Sequence, residues 1–446
     1  MRLTSLGHAG WLVEAGGLRI LFDPVLGTSH AGGVFQVVPQ RSIEPEVLRA
    51  DFVVVTHAHF DHFDVDSLDA LARFDPDSVL VTPDELVASS AEALGFRSVR
   101  RVAPATRIEL DGVTLATTPS HAPDVEWGVV VADDTGTAWN MVDTVFRSPH
   151  NASEIALAAL AGRTLDLSLA PIQPLREIEL ATAGRLGLDL GDYQHLLACG
   201  AATGARHLAT SACGEAFTPP FAAMNAFVYP VSRERALRDL RAFAPSIRTL
   251  NPALGEMLVV DGGDVSVAAG DIAIQRTGAG DPRDFRPLEL APLTDPNLDG
   301  RDVASMRDRI HAWVHRELAP ALARELGAKP ELATLSLVLE VVFPDGRANY
   351  TFDTGGRVRE ASDPEHDVLL VVAGSMLDDV IAGRRAWVEP LLAGLMRSSV
   401  RGVNVSRGAC AFFDVAPMFV YYAIAYRAST ERAVSGRVAA LRRARA

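Results

Sequence analysis

Lysine is all but missing from this chain: Lys329 is the only one in 446 residues, and arginine carries almost all of the positive charge. Together with abundant alanine, this is the residue usage of a GC-rich coding sequence and implies no function. Cysteine is nearly as scarce. Cys199, Cys213 and Cys410 are an odd number with no C-x-x-C spacing, which argues against a disulfide framework or a thiolate zinc site and predicts a reducing, cytoplasmic setting. Long apolar runs are lacking as well, since none nears the roughly 18 residues of a membrane-spanning helix. The opening MRLTSLGHAGW enters strand-like sequence with neither a charged leader nor an apolar h-region, which predicts a soluble, unprocessed chain.

Positive charge is in deficit overall. Lys and Arg number 42 against 56 Asp and Glu, a formal net charge of −14, which disfavours nucleic acid or an anionic membrane as the main partner. No G-x-x-x-x-G-K-[ST] phosphate loop and no G-x-S-x-G elbow occurs, so neither ATP chemistry nor Ser/His/Asp hydrolysis is expected. Flavin, haem and iron–sulfur motifs are missing too.

What is present is material for sizeable cores: 48% of the residues are hydrophobic, and the length suggests two or three domains. Up to about residue 275, short runs such as WLVEA, LRILFD, DFVVVTHA, SVLVTP, VTLATT and MLVVDG alternate with helix-like DVDSLDALARF, PDELVASSAEALG and SRERALRDLRAF. This pattern predicts a layered α+β or α/β domain, with a sandwich of sheets flanked by helices. No internal repeat of fixed period is evident. Residues 276–300, rich in Pro, Gly and Asp, read as a linker. Residues 301–446 read as a second, smaller α+β domain: a helix, a hairpin about Pro344-Asp345-Gly346, then GSMLDDVIAGRRAWVEPLLAGLMR as helix, turn and helix. The arginine-rich tail reads as a solvated terminal helix.

The chemistry concentrates in THAHFDHFD, directly after the apolar run DFVVV. His57, His59, Asp61 and His62 fall within six residues. Alternate residues of an extended segment share a face, so His57 and His59 can ligate one ion, while the following turn can direct Asp61 and His62 to a second.

H-x-H-x-D-H after a strand resembles the metallo-β-lactamase superfamily, and GHAGWLVEAGGLRILFDPVLG resembles the opening hairpin of one branch of it. That branch includes ascorbate-6-phosphate lactonase, N-acyl-phosphatidylethanolamine phospholipase and the cytidine-monophosphate-N-acetylneuraminate hydroxylase. The resemblance covers roughly residues 1–270 and implies a four-layered αβ/βα sandwich with a dinuclear metal site. It further implies that His121, in TTPSHAP, completes the first site with His57 and His59, and that Asp143, in NMVDT, bridges both ions. Asp23, in LFDP, would support a ligand or form a turn. The pattern departs from the family at the last ligand of the second site, where a late histidine is usual. Glu215 in SACGEAF is the substitute expected here; water, His195 or His150 are alternatives, and His207 stands at the wrong end of its strand. Glu126 could approach the first site, but reads more simply as a surface glutamate.

With two zinc or manganese ions, such a site hydrolyses a lactone, ester or phosphodiester. With two iron ions, the resemblance extends to the diiron hydroxylases of antibiotic biosynthesis. The opening hairpin and the oxygen-rich second site favour this O2-dependent monooxygenase, acting on a hydrophobic or carrier-linked, for example thioester-linked, small molecule. An oxygenase without a redox centre of its own needs an external electron donor. Asp61 and Asp143 are the expected catalytic carboxylates. The pattern VLEVVFPDGRANYTFDTGGRVRE followed by DVLLVVAGSMLDDVIAGRRAWVEPLL is similar to sterol carrier protein 2, which implies an apolar tunnel or a dimerising surface, hence a homo-oligomer. A noncatalytic lipid-binding protein with a structural metal is the third reading.

Overall fold

In a computed structural model of the chain, the residues described are 1–122, 126–174, 190–229, 231–278, 292–327, 336–353, 357–362, 364, 366, 368–400, 403–406, 409–412 and 416–445. Lys329 and residues 279–291 of the expected linker lie outside them, as do the side chains of Cys410 and of the aromatic stretch 412–426. The described residues form two compact units, one within the first 286 residues joined by residues 441–445, the other within residues 292–440.

The first unit is built on two sheets. One has eight strands in the order 264–268, 257–261, 2–7, 10–15, 18–22, 52–54, 79–82 and 98–101; the other has seven, in the order 248–250, 207–210, 167–170, 137–140, 127–132, 113–119 and 107–110. Between them lies a core of Leu3, Trp11, Ile20, Phe22, Val54, Leu115, Val129 and Leu167. Strands buried on both faces, such as WGVVVA at Trp127–Ala132, read as continuous apolar runs because no face meets water. Helices Pro149–Leu160, Leu190–Ala202 and Arg233–Phe243 accompany the second sheet through another core that includes Trp139, Ile155, Leu197 and Leu240. The result is the expected αβ/βα sandwich.

The helices begin where the sequence offers caps. Asp64 accepts from Ser67 N at the start of Val65–Phe74, and Asp84 accepts from Leu86 N and Val87 N at the start of Glu85–Leu94. Gly95 ends the second of these in a left-handed conformation, φ 110°, which glycine adopts without a Cβ penalty.

Strand polarity gathers the loops. Leu18–Phe22 and Phe52–Val54 run parallel, Phe22 opposite Val54, so the segments that begin at Asp23 and Val55 emerge side by side. The turn joining Arg2–Gly7 to Gly10–Ala15 lies at the same end. In the second sheet the segments following 113–119, 137–140, 167–170 and 207–210, and the one preceding 127–132, share one end.

The second unit has a five-stranded sheet in the order 358–360, 346–352, 337–343, 368–373 and 396–400, with a core of Met306, Ile310, Leu339, Val341, Leu370, Leu377 and Trp387. Helix Val303–Trp313, capped by Asp302, passes through a π-helical turn, Val314–Leu318, into Ala319–Gly327. The hairpin about Pro344-Asp345 forms as expected. The helix–turn–helix reading needs a correction: Gly374–Ile381 and Val388–Leu392 are helical, but Met396–Val400 is a strand, since pairing with Val368–Ala373 outweighs its helical spacing. Asp378 is fully buried here beneath Arg301, Arg309 and Arg384. Among the described residues no helix is long and apolar enough to cross a membrane.

Candidate metal centre

The gathered loops bring two groups of ligand-type donors together. In the first, one donor atom each from His57, His59 and Asp143 lies within 4.8 Å of the others; in the second, the same holds for His8, Asp61 and His62. Asp143 Oδ2 stands 3.6 Å from His57 Nε2 and 3.0 Å from His62 Nε2, so one carboxylate faces both groups. Asp61 Oδ2 is 2.9 Å from His8 Nε2 and 3.0 Å from His62 Nε2.

Buried partners fix the rings. Asp23 Oδ2 lies 2.9 Å from His62 Nδ1, and the same carboxylate accepts from Thr56 N at 2.8 Å and from the Thr56 hydroxyl. Nε2 of His62 is thereby turned toward Asp61 and Asp143. It is buried and makes no hydrogen bond of acceptable geometry to either, a costly condition for a nitrogen at the centre of a fold. Thr56 Oγ1 lies 3.1 Å from His57 Nδ1, leaving that ring's Nε2 toward Asp143.

The electrostatics are those of a charge-dense, dehydrated site. Burial drives His57 well below the usual imidazole value, assisted by His62 and His59. Burial opposes charging His62 as well, but Asp61, Asp143 and Asp23 prevail and raise it well above that value. Asp61, despite burial, is held well below the carboxylate range by His62 and His8. Glu126 moves the other way: burial, then the charge of Asp143, pushes it up to about 7.

The residues expected to form the site do not all converge. His57, His59, Asp61, His62 and Asp143 do. His121, whose backbone N–H donates to Val145 O at 3.0 Å, is not among the grouped donors. Glu126, read from the sequence as a surface residue, is buried with Oε2 3.9 Å from His57 Nε2, and Ser120 Oγ donates to its other oxygen. Glu215, the expected last ligand of the second site, is not among the grouped donors either. His30 and Tyr229 occupy its two oxygens, Tyr229 at 2.7 Å, although it lines one small cavity of about 40 Å³ with His8, Asp61, Asp143 and Gln173. Nor do the alternatives reach the site: His195 Nε2 lies 3.1 Å from Phe146 O, and His150 pairs with Glu154 on the surface.

His8 takes the place beside Asp61 and His62. The sequence showed it only as part of an opening hairpin, and the available signal was its position in Gly7-His8-Ala9-Gly10. The ladder between Arg2–Gly7 and Gly10–Ala15 shifts register there, Gly7 has φ +90°, and His8 itself has φ +50°, a strained conformation for a residue with a Cβ. This turn swings the ring inward, buried at 6% exposure with Nδ1 unpartnered.

The donor set suits metal. Imidazole nitrogens and carboxylates in two adjoining groups, with an orphaned imidazole nitrogen between two carboxylates, are what a pair of divalent transition ions requires and what hydrogen bonding alone leaves unsatisfied.

Residues 2–173 match the family model of the beta-lactamase superfamily domain. A protein of Mycolicibacterium smegmatis named for a Rieske 2Fe-2S centre is 31% identical over 155 residues, 32% of this chain and 30% of its own. The chain thus spans less than a third of the length of that relative. A metal-dependent hydrolase of Aeropyrum pernix is 28% identical over 209 residues, 40% of this chain and 77% of its own. Among solved structures, CmlA, a diiron β-hydroxylase from Streptomyces venezuelae, is similar at 15% identity over 56% of this chain and 52% of its own, TM-score 0.37. Sterol carrier protein 2 like 2 of Aedes aegypti is similar at 15% identity over 21% of this chain and 88% of its own, TM-score 0.17.

Proposed function

With residues 2–173 a beta-lactamase superfamily domain and the first unit of metallo-β-lactamase fold, we propose that this unit is a dinuclear metal-dependent hydrolase of a small-molecule lactone, ester or phosphodiester. The observation that carries the reading is Asp143 placed between the two donor groups, 3.6 Å from His57 and 3.0 Å from His62. In this reading His57, His59 and Glu126 hold one ion, His8, Asp61 and His62 the other, and Asp143 both. Bound ions of this kind supply an activated water and polarise a carbonyl or phosphoryl oxygen.

The chain's own residues do the rest. Asp61, kept ionised by His62 and His8, accepts hydrogen bonds and orients a water in the cavity it shares with Asp143. Asp143, a third exposed at its side chain, is the carboxylate open to an incoming substrate. Asp23 and Thr56 hold the rings of His62 and His57 so that no reorganisation is needed when substrate arrives.

The hydrolases among the relatives favour this reading over the oxygenase favoured by the sequence alone. One observation speaks for the oxygenase: the buried Glu126 makes the first group richer in carboxylate, which suits iron. Anaerobic assay of zinc- and manganese-loaded protein on nitrophenyl esters, lactones and bis(nitrophenyl) phosphate separates the two. Turnover without O2, lost in Asp143→Asn, is expected. Turnover appearing only with iron, reductant and O2 would overturn the hydrolase and return the reading to the oxygenase.

A further inference from the structure

We infer that His311, His315 and Glu360 form a second, independent divalent-metal site on the second unit, one that takes a borderline ion such as Zn²⁺, Co²⁺ or Ni²⁺. His311 lies on helix Val303–Trp313 and His315 one turn later, in the π-helical segment Val314–Leu318. Residues four apart on a helix share a face, and here the two rings stand 4.3 Å apart between centroids. Strand Val358–Glu360, at the edge of the sheet, delivers Glu360 to the same place, its Oε1 2.9 Å from His311 Nδ1. One donor atom from each of the three lies within 4.8 Å of the others.

A plain ion pair explains His311 and Glu360 but not the second imidazole. The His315 ring, tilted 43° to that of His311, stands beside the pair without forming part of it. An ion satisfies all three at once. Two neutral imidazoles and a carboxylate are the His₂-carboxylate set of zinc sites that keep an open position, and nitrogen donors select against Mg²⁺ and Ca²⁺. Arg307, one helical turn before His311, is engaged elsewhere: it pairs with Asp345 at 2.6 Å and lies over the Phe343 ring at 4.1 Å. π-Helical turns within α-helices recur at functional positions, and this one bears His315. A bound ion would tie an edge strand of three residues to the helix, stabilising the unit by linkage.

The site shares no residue with the centre of the first unit, so its test does not depend on the hydrolase reading. Full-length protein is stripped with chelator and dialysed against micromolar Zn²⁺, and its metal content is read by elemental analysis with thermal unfolding in parallel. His57→Ala/His59→Ala protein, which keeps the His8, Asp61 and His62 group, is expected to show a Zn²⁺-dependent rise in Tm and to hold Zn²⁺ beyond what that group takes, and the further change His311→Ala/His315→Ala is expected to remove one equivalent of Zn²⁺ and to reduce the rise in Tm. Should the first-unit variant fail to fold, Cu²⁺ electron paramagnetic resonance on otherwise unaltered protein serves instead, with one nitrogen-rich signal vanishing in His311→Ala/His315→Ala and weakening in Glu360→Gln. Identical metal content and spectra with and without His311 and His315 would overturn the site.

Discussion

Asp23 Oδ2 lies 2.9 Å from Nδ1 of His62 with both side chains wholly buried, and this single contact decides which nitrogen of His62 faces the metal centre. Asp23 has φ +41°, and its own backbone N–H donates to Val54 O at 2.9 Å. The carboxylate is thus pinned on both sides before it touches the histidine.

Asp23→Asn is expected to lower metal affinity or turnover about 10- to 100-fold, the usual effect of removing a partner that orients a ligand. The structure should remain folded, since the amide oxygen can still accept from Thr56. Zinc titration against a competing chelator, alongside circular dichroism, checks both statements. Wild-type affinity in Asp23→Asn would mean that Asp23 serves only the turn.

His8→Ala should remove an ion that Glu215→Gln leaves in place. His8 stands 2.9 Å from Asp61, whereas Glu215 is occupied by His30 and Tyr229. Elemental analysis is expected to show lower metal content in His8→Ala only. The opposite pattern would restore Glu215 as the last ligand of the second group.

Glu126→Gln and His121→Ala test the first group in the same way. The carboxylate lies 3.9 Å from His57; neither it nor the imidazole of His121 is among the grouped donors. Greater metal loss in Glu126→Gln is expected; greater loss in His121→Ala would return the site to the histidine set implied by the sequence resemblance.

The second unit should depend on its buried aspartates. Asp378→Ala leaves Arg301, Arg309 and Arg384 without their shared partner and is expected to cost about 3–5 kcal/mol, read by denaturant or thermal unfolding. Neighbouring Asp379 adds a pH dependence. Burial raises its carboxyl, but hydrogen bonds from Arg301 and Arg384 prevail and hold it below the ordinary value. A carboxylate lowered on folding adds stability above its unfolded pKa and loses it as pH falls through the folded one. Unfolding of this unit should therefore become easier below about pH 4, and Asp379→Asn should flatten that dependence.

The legible part of the site was the local part. His57, His59, Asp61 and His62 sit within six residues after a strand, so any fold that makes the strand brings them together, and Asp143 was found at the end of another apolar strand. Asp23, adjacent to Thr56, could be suspected as a supporting carboxylate but not assigned to His62. Glu126 reads as a surface residue because glutamate is usually exposed, and nothing local shows that Asp143 and His57 lie near it. His8 is not legible as a site residue because its inward turn rests on a register shift between two strands, which residue pattern does not encode.

The sequence by itself determined the α+β class, the apolar strands and the H-x-H-x-D-H cluster, since each depends on residues near one another in the chain. Tertiary structure alone decided that His8 stands beside Asp61 and His62, that Glu126 approaches His57, and that the oxygens of Glu215 are taken by His30 and Tyr229. Those choices join segments many residues apart, and they are set by strand order, register and burial across two sheets, quantities that no local run of side chains contains.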